Sequence, residues 1–206
     1  MNSSTSTLRF LQSENRRLRE ENESLREEVL ALREYMKALR TLHQATQTFT
    51  AEQQLEPLLA RIMYAALRVM DAADGSLALL DESTGQLVFA VVLGELKSSL
   101  QGYRIDKGMG IAGWVAAHGE PVIVNNAHQD RRFSSFVDDS FGFRTNSLIC
   151  VPLIVQGRVI GVIEVLNKFS GEAFTDTDLD LLTILASMAA VAIDKVHQAE
   201  AQAGEK

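Results

Sequence analysis

The chain has 206 residues, 46% of them hydrophobic, with 27 acidic against 20 basic side chains and a net charge of −7. That is enough for one ordinary domain with an appendage, and the negative balance argues against nucleic acid or an anionic membrane as a general partner. A single cysteine, Cys150, excludes an intrachain disulfide and a cysteine-based metal cluster. The opening MNSSTSTLRF has no basic stretch leading into an apolar one, so no signal peptide is read. The most apolar helical run, Leu181 to Ile193, lies between Asp180 and Asp194 and falls short of the roughly 20 residues that a bilayer span needs. A soluble, reducing, cytoplasmic setting is the expectation.

In chain order, the first element is a heptad repeat. Leu11, Leu18, Leu25, Leu32 and Leu39 recur at seven-residue spacing, with Asn15, Asn22, Val29 and Met36 at the alternate seam positions. Glu14, Glu21 and Glu28 flank one side, and Arg19, Arg26, Arg33 and Arg40 the other. In a parallel, in-register pair these meet as Glu14–Arg19, Glu21–Arg26 and Glu28–Arg33, whereas an antiparallel pair sets like charges together. Asn15 and Asn22 hydrogen-bond their counterparts only at matched height, which fixes register at some cost in stability. The pattern predicts a parallel homodimeric coiled coil over 1–40. None of the seven residues before Leu8 is Lys or Arg, so a DNA-reading zipper is not the expectation.

Past Met36 the apolar row shifts to Tyr35, Leu39, Leu42 and Phe49, as if the helix turns its face toward a globular part. Thr50-Ala-Glu-Gln53 is a capping-box pattern, and Pro57 suits the first turn of a helix running to Met70. From Gly75 the period shortens to that of strands. SLALLD and QLVFAVVLG are joined by a turn at 82–85, PVIVNN follows, and SLICVPLIV and RVIGVIEVLN form a hairpin about Gln156-Gly157. A helix from about Thr177 carries Leu181, Leu182, Leu185, Met188, Ala189 and Ala192 on one face. Hairpins between helices, rather than repeated crossovers, predict an α+β fold with an antiparallel sheet.

Two stretches suggest a site. Gly108-Met-Gly110-Ile-Ala-Gly113 is a literal GxGxxG, but the polar GYRIDK before it and the polar loop near Gln129-Asp130 exclude a dinucleotide fold. What survives is a glycine-led helix start, either a site for an anion or simply a tight turn. Glu164 shares a strand face with Ile160, Val162 and Leu166. It points into a polar cavity, pairs with a base, or reaches water at that face. Cys150 sits in an apolar strand, as a core residue does rather than a nucleophile. His43, His118, His128 and His197 show no ligand spacing.

From about Thr41 to Val196 the chain resembles the GAF domain family, small-ligand regulatory modules of signalling proteins, in particular those that bind cyclic nucleotides. The matching stretches are GMGIAGWVAAHGEPVIV, DRRFSSFVDDSFGFRTNSLICVPL and VIGVIEVLNK. They continue into an Asn167, Lys168, Phe174, Asp178 signature, with Leu179 where the family has Glu. The resemblance implies a structural ion pair Lys168–Asp178. It also implies ligand contacts at Ser76, Ile111, Ala112, Thr145 and Glu164, with Ala112 offering its amide to a phosphate. Where the family has a stacking aromatic and an acid, this chain has Val92 and Leu93, and Phe141 replaces a lid threonine. Phe133, Phe136 and Phe141 would then line a more apolar pocket. The resulting expectation is a coiled-coil helix at 1–40, a GAF-like domain at 41–196 and a polar tail at 197–206. Together they form a non-enzymatic dimeric sensor with a signalling partner protein and no metal. Its small-molecule ligand is a cyclic nucleotide or another compound; the alternative is a ligand-free scaffold.

Overall fold

The computed structural model describes residues 11, 12, 14–26, 29, 33, 36, 40, 54–95 and 100–204. The chain divides into two compact units, Met1–Arg40 and Thr41–Lys206. In the first, every described residue is helical. Leu11, Leu18, Leu25, Val29 and Met36 stand 46–57% exposed along the single chain. Arg17 bonds Glu14 at 2.9 Å and approaches Glu21 at 3.8 Å on its own helix. Leu32, Leu39 and the capping-box pattern at Thr50 lie outside the described residues.

The second unit runs α1 (Leu55–Met70), β1 (Ala72–Asp81), β2 (Gln86–Leu93), β3 (Arg104–Asp106), α2 (Gly110–His118), β4 (Val122–Val124), a short 3-10 turn (Ala127–Gln129), α3 (Phe136–Phe141), β5 (Leu148–Val155), β6 (Arg158–Lys168) and α4 (Asp176–Gly204). The strands form one six-stranded sheet in the order β3-β2-β1-β6-β5-β4, with every pair antiparallel. The hairpin at Gln156-Gly157 forms as its turn residues require, both with positive φ. GYRIDK, too polar to suggest a strand, supplies β3 at the sheet edge through Ile105, which pairs with Leu87. The segment set apart as a polar tail continues α4 as helix to Gly204.

Both sheet faces are covered. This explains why β5 reads as a nearly unbroken apolar run rather than an alternating one. On one face α1 and α4 pack through Leu58, Ile62, Met63, Leu182, Leu185 and Ile193, all fully buried. Gly75 on β1 shows how tight that layer is. A Cβ there would lie 3.0 Å from Leu67 and Met63 and 2.7 Å from the Glu164 carbonyl oxygen. The opposite face holds a second apolar cluster of Ala78, Phe89, Val92, Ile111, Val115, Leu148, Cys150 and Val162, covered by α2 and by partly buried Phe133 and Val137.

The start of α4 is held by a reciprocal cap. Thr175 donates through its backbone N–H and hydroxyl to Asp178 Oδ2 at 2.7 and 2.9 Å, and the Asp178 amide returns a bond to the Thr175 hydroxyl at 3.3 Å. The same oxygen receives Lys168 Nζ at 2.6 Å. Lys168 Nζ in turn lies 5.3 Å from the Phe174 ring centre.

Candidate functional site: a lidded cavity on the sheet

Between the sheet, α2 and the segment leading through α3 lies a cavity of about 100 Å³, room for several waters at about 10–15 Å³ each. Its floor is a row of cross-strand partners. Val92, Ser76, Glu164 and Cys150 sit side by side on β2, β1, β6 and β5, and so on the same face of the sheet. Ser76 Oγ donates to Glu164 Oε2 at 3.4 Å, and Cys150 faces the same carboxyl from β5 on the other side. Burial pushes the Glu164 carboxyl up to about 7, against the smaller opposing effect of these two neighbours. Burial first, then the neighbouring Glu164 carboxyl, raises the Cys150 thiol. A fully buried thiol held protonated has the character of a core residue.

One wall is the start of α2. Gly108 and Gly110 adopt φ of +97° and +66°, conformations that cost glycine little. The first helical bond is Gly113 N–H to Met109 O at 3.1 Å. The amides of Gly110, Ile111 and Ala112 therefore precede any helical acceptor, at the positive end of the helix. Gly113 answers to packing, since a Cβ would come within 2.8 Å of Asp106 O and 2.9 Å of Gly108 N. The GxGxxG spacing here makes a tight strand-to-helix turn.

The cover is the segment between Asp130 and Thr145. Asp130 grips Arg132 through two side-chain bonds of 2.9 and 2.6 Å, which lowers the Asp130 carboxyl. Arg132 lies over Trp114, 4.6 Å from its ring centre, and Trp114 stacks on His118. Asp138 on α3, only 6% exposed, accepts from the Thr145 amide and hydroxyl at 2.8 Å each. His128 Nε2 approaches the same carboxylate at 3.7 Å and meets Phe133 edge-on. Phe133, Ser134, Phe136, Val137, Asp138 and Thr145 all face the cavity.

The cavity brings together eight of the residues singled out from the sequence: Ser76, Val92, Leu93, Ile111, Ala112, Phe133, Thr145 and Glu164. Phe136 joins them, half-exposed at the mouth beside Met109. Phe141 ends α3, and its side chain lies outside the described residues. Lys168 and Asp178 pair outside the cavity lining. Sequence reading missed Asp74, Phe89, Leu100, Ile105, Met109 and Asp138 among the lining residues. Asp138 lies within the family-matching stretch DRRFSSFVDDSFGFRTNSLICVPL, and no spacing rule marks its bond to Thr145. Among the described residues no group of three His, Cys, Asp or Glu is placed to hold a metal ion.

An antiparallel sheet clad by helices on one face, with a covered cavity on the other, defines an α+β domain of the sensory-module kind. The family model described as "GAF domain" matches residues 52–194, and the chain belongs to that family of non-catalytic signalling modules. Over 161 residues it is 32% identical to the probable 3',5'-cyclic phosphodiesterase pde-5 of Caenorhabditis elegans, covering 71% of this chain and 22% of that protein. Over 96 residues it is 41% identical to the dual 3',5'-cyclic-AMP and -GMP phosphodiesterase 11A of Takifugu rubripes, covering 46% of this chain and 11% of that protein. The chain thus spans less than a quarter of either relative. Among solved structures, the GAF domain of a phosphoenolpyruvate-protein phosphotransferase from Coxiella burnetii superposes with a TM-score of 0.73 at 24% identity, covering 81% of this chain and 98% of that one. The free methionine-R-sulfoxide reductase of Neisseria meningitidis superposes with a TM-score of 0.67 at 24% identity, covering 80% of this chain and 93% of that one. At such identities the likeness is one of fold.

Proposed function

We propose that the chain is a dimeric sensory module whose GAF cavity binds a small molecule, a cyclic nucleotide or another compact ligand, and relays its presence through its helices to a partner protein in the cytoplasm. The observation that carries this reading is the lidded cavity itself, with Glu164 and Ser76 on an otherwise apolar floor and the first amides of α2 on its wall. The ligand would rest on Ser76, Val92, Leu93, Ile111, Ala112, Phe133, Phe141, Thr145 and Glu164. The relation to cyclic phosphodiesterases supports a cyclic nucleotide as one candidate. The apolar Val92 and Leu93 among the lining residues support a less polar one. The heptad pattern supports a parallel coiled-coil pair.

A ligand shifts an equilibrium only by its difference in affinity for the two arrangements. Closure of the Asp130–Thr145 segment supplies a candidate difference. The test is a thermal-shift screen of the full chain with cyclic AMP, cyclic GMP and small aromatic acids and bases, alongside native mass spectrometry for a co-purifying molecule. Saturation at about a hundred times Kd adds about 2.7 kcal/mol, or roughly 5–10 °C for a chain of this size. A chain that carries nothing and shifts with none of them is instead the scaffold, pairing chains without a small ligand.

A further inference from the structure

We infer that the cavity selects a ligand with an apolar body and a basic nitrogen, an arylalkyl amine or an aryl amidine, whose N–H groups pair with Glu164. This rests on the small-ligand reading of the same cavity and narrows it by charge.

The charged side chains among the described lining residues are Asp74, Asp138 and Glu164, and they differ in how well they are satisfied. Asp138 has the Thr145 amide and hydroxyl at 2.8 Å. Asp74 has the Glu95 amide at 2.9 Å. Glu164 has only a hydroxyl at 3.4 Å, with the Cys150 thiol as its cross-strand neighbour, the weakest of the three sets. It stands at the middle of the floor, with Ser76 beside it from β1, Cys150 from β5, and Asp74 two residues along β1 on the same face. The α2 amides and Asp138 complete the walls. A buried carboxylate so poorly paired gains most from a charged donor, and that gain is unavailable to an anion, which would face three acids. Around it, Phe89, Val92, Leu93, Leu100, Phe133 and Leu148 suit an aromatic or aliphatic body. The helix start favours an acceptor, but its amides carry only about half a unit of positive charge.

Benzamidine, benzamide and benzoate share one shape and differ in charge, so they isolate the question. On the full chain at millimolar concentration, benzamidine is expected to raise the melting temperature most and benzoate least. Because the cation pairs with ionised Glu164, its apparent affinity should rise roughly tenfold from about pH 6 to about pH 8. Near neutrality its binding should release a proton, seen as a dependence of the binding heat on the buffer's ionisation heat. Glu164→Gln should flatten that pH dependence. Benzoate matching or exceeding benzamidine, or benzamidine binding without proton release, would overturn the inference. Cyclic nucleotide binding with benzamidine silent would also overturn it and leave the sensor reading standing. Silence from all of them would remove both.

Discussion

Glu164 shows how much one side chain can reveal when the period of its element is known. On a strand of period two it had to share a face with Val162 and Leu166, so its carboxyl demanded a partner or a cavity. The fold supplies the cavity and one long hydrogen bond, from Ser76. The physical consequence is a carboxyl that titrates near 7 when folded and near 4.5 when free. Between those values the native state holds a proton that the unfolded chain has lost, so stability falls as pH rises from about 4.5 to about 7 and levels above it. Glu164→Gln removes that fall. The variant should match the parent near pH 4 and exceed it by about 2–3 kcal/mol near pH 8, measured by urea unfolding at both values. A flat difference across the range would mean that the carboxyl is solvated. Asp178 is the opposite case, a carboxylate fully engaged. Its Oδ2 takes Lys168, the Thr175 amide and the Thr175 hydroxyl. Asp178→Ala strands a mostly buried ammonium and uncaps α4 together, a loss of about 3 kcal/mol in the same assay. A loss under about 1 kcal/mol would reduce the pair to a surface contact.

Elements were legible in the sequence to the degree that their periods were clean. The β5–β6 hairpin and the face of α4 could be read directly, because alternation and helical spacing leave few other solutions. The β3 strand could not. A three-residue edge strand needs one inward side chain, Ile105, and its polar neighbours at 104 and 106 face solvent. The cavity followed the same division. Residues on regular strands and at the glycine-led helix start could be placed by pattern and resemblance. Asp138 could not, because its function depends on a turn that carries Thr145 back to it across seven residues. That bond makes α3 a latch. Asp138→Ala leaves the Thr145 amide and hydroxyl buried without an acceptor, a cost of about 1–3 kcal/mol borne by the lid alone. Amide exchange over residues 136–147 should accelerate roughly tenfold or more while β5 and β6 keep their protection. Equal acceleration throughout would show that the lid opens only when the whole domain unfolds.

At the scale of the whole molecule, the two units answer to different physics. The domain buries apolar side chains on both faces of its sheet. The N-terminal helix does not: Leu11, Leu18 and Leu25 stand more than half exposed at every second turn. A helix with an uncovered leucine seam lowers its free energy by finding another, at about 25 cal/mol for each Å² of apolar surface removed from water. The flanking charges say which partner fits. Arg17 satisfies Glu14 within one chain, but it leaves the Glu and Arg rows on either side of the seam sorted as a parallel pair requires. In the proposed pair, Asn15 and Asn22 would meet their counterparts only in register. The full chain should therefore sediment as a dimer at micromolar concentration, and a chain beginning at Leu42 as a monomer. Asn22→Val should raise the melting temperature of the paired helices while admitting trimers or shifted registers, because the polar residue trades stability for specificity. If Asn22→Val left both the melting temperature and the oligomeric state unchanged, Asn22 would lie outside any interface. If the shortened chain stayed dimeric, pairing would reside in the domain, and the helix would have to serve another partner.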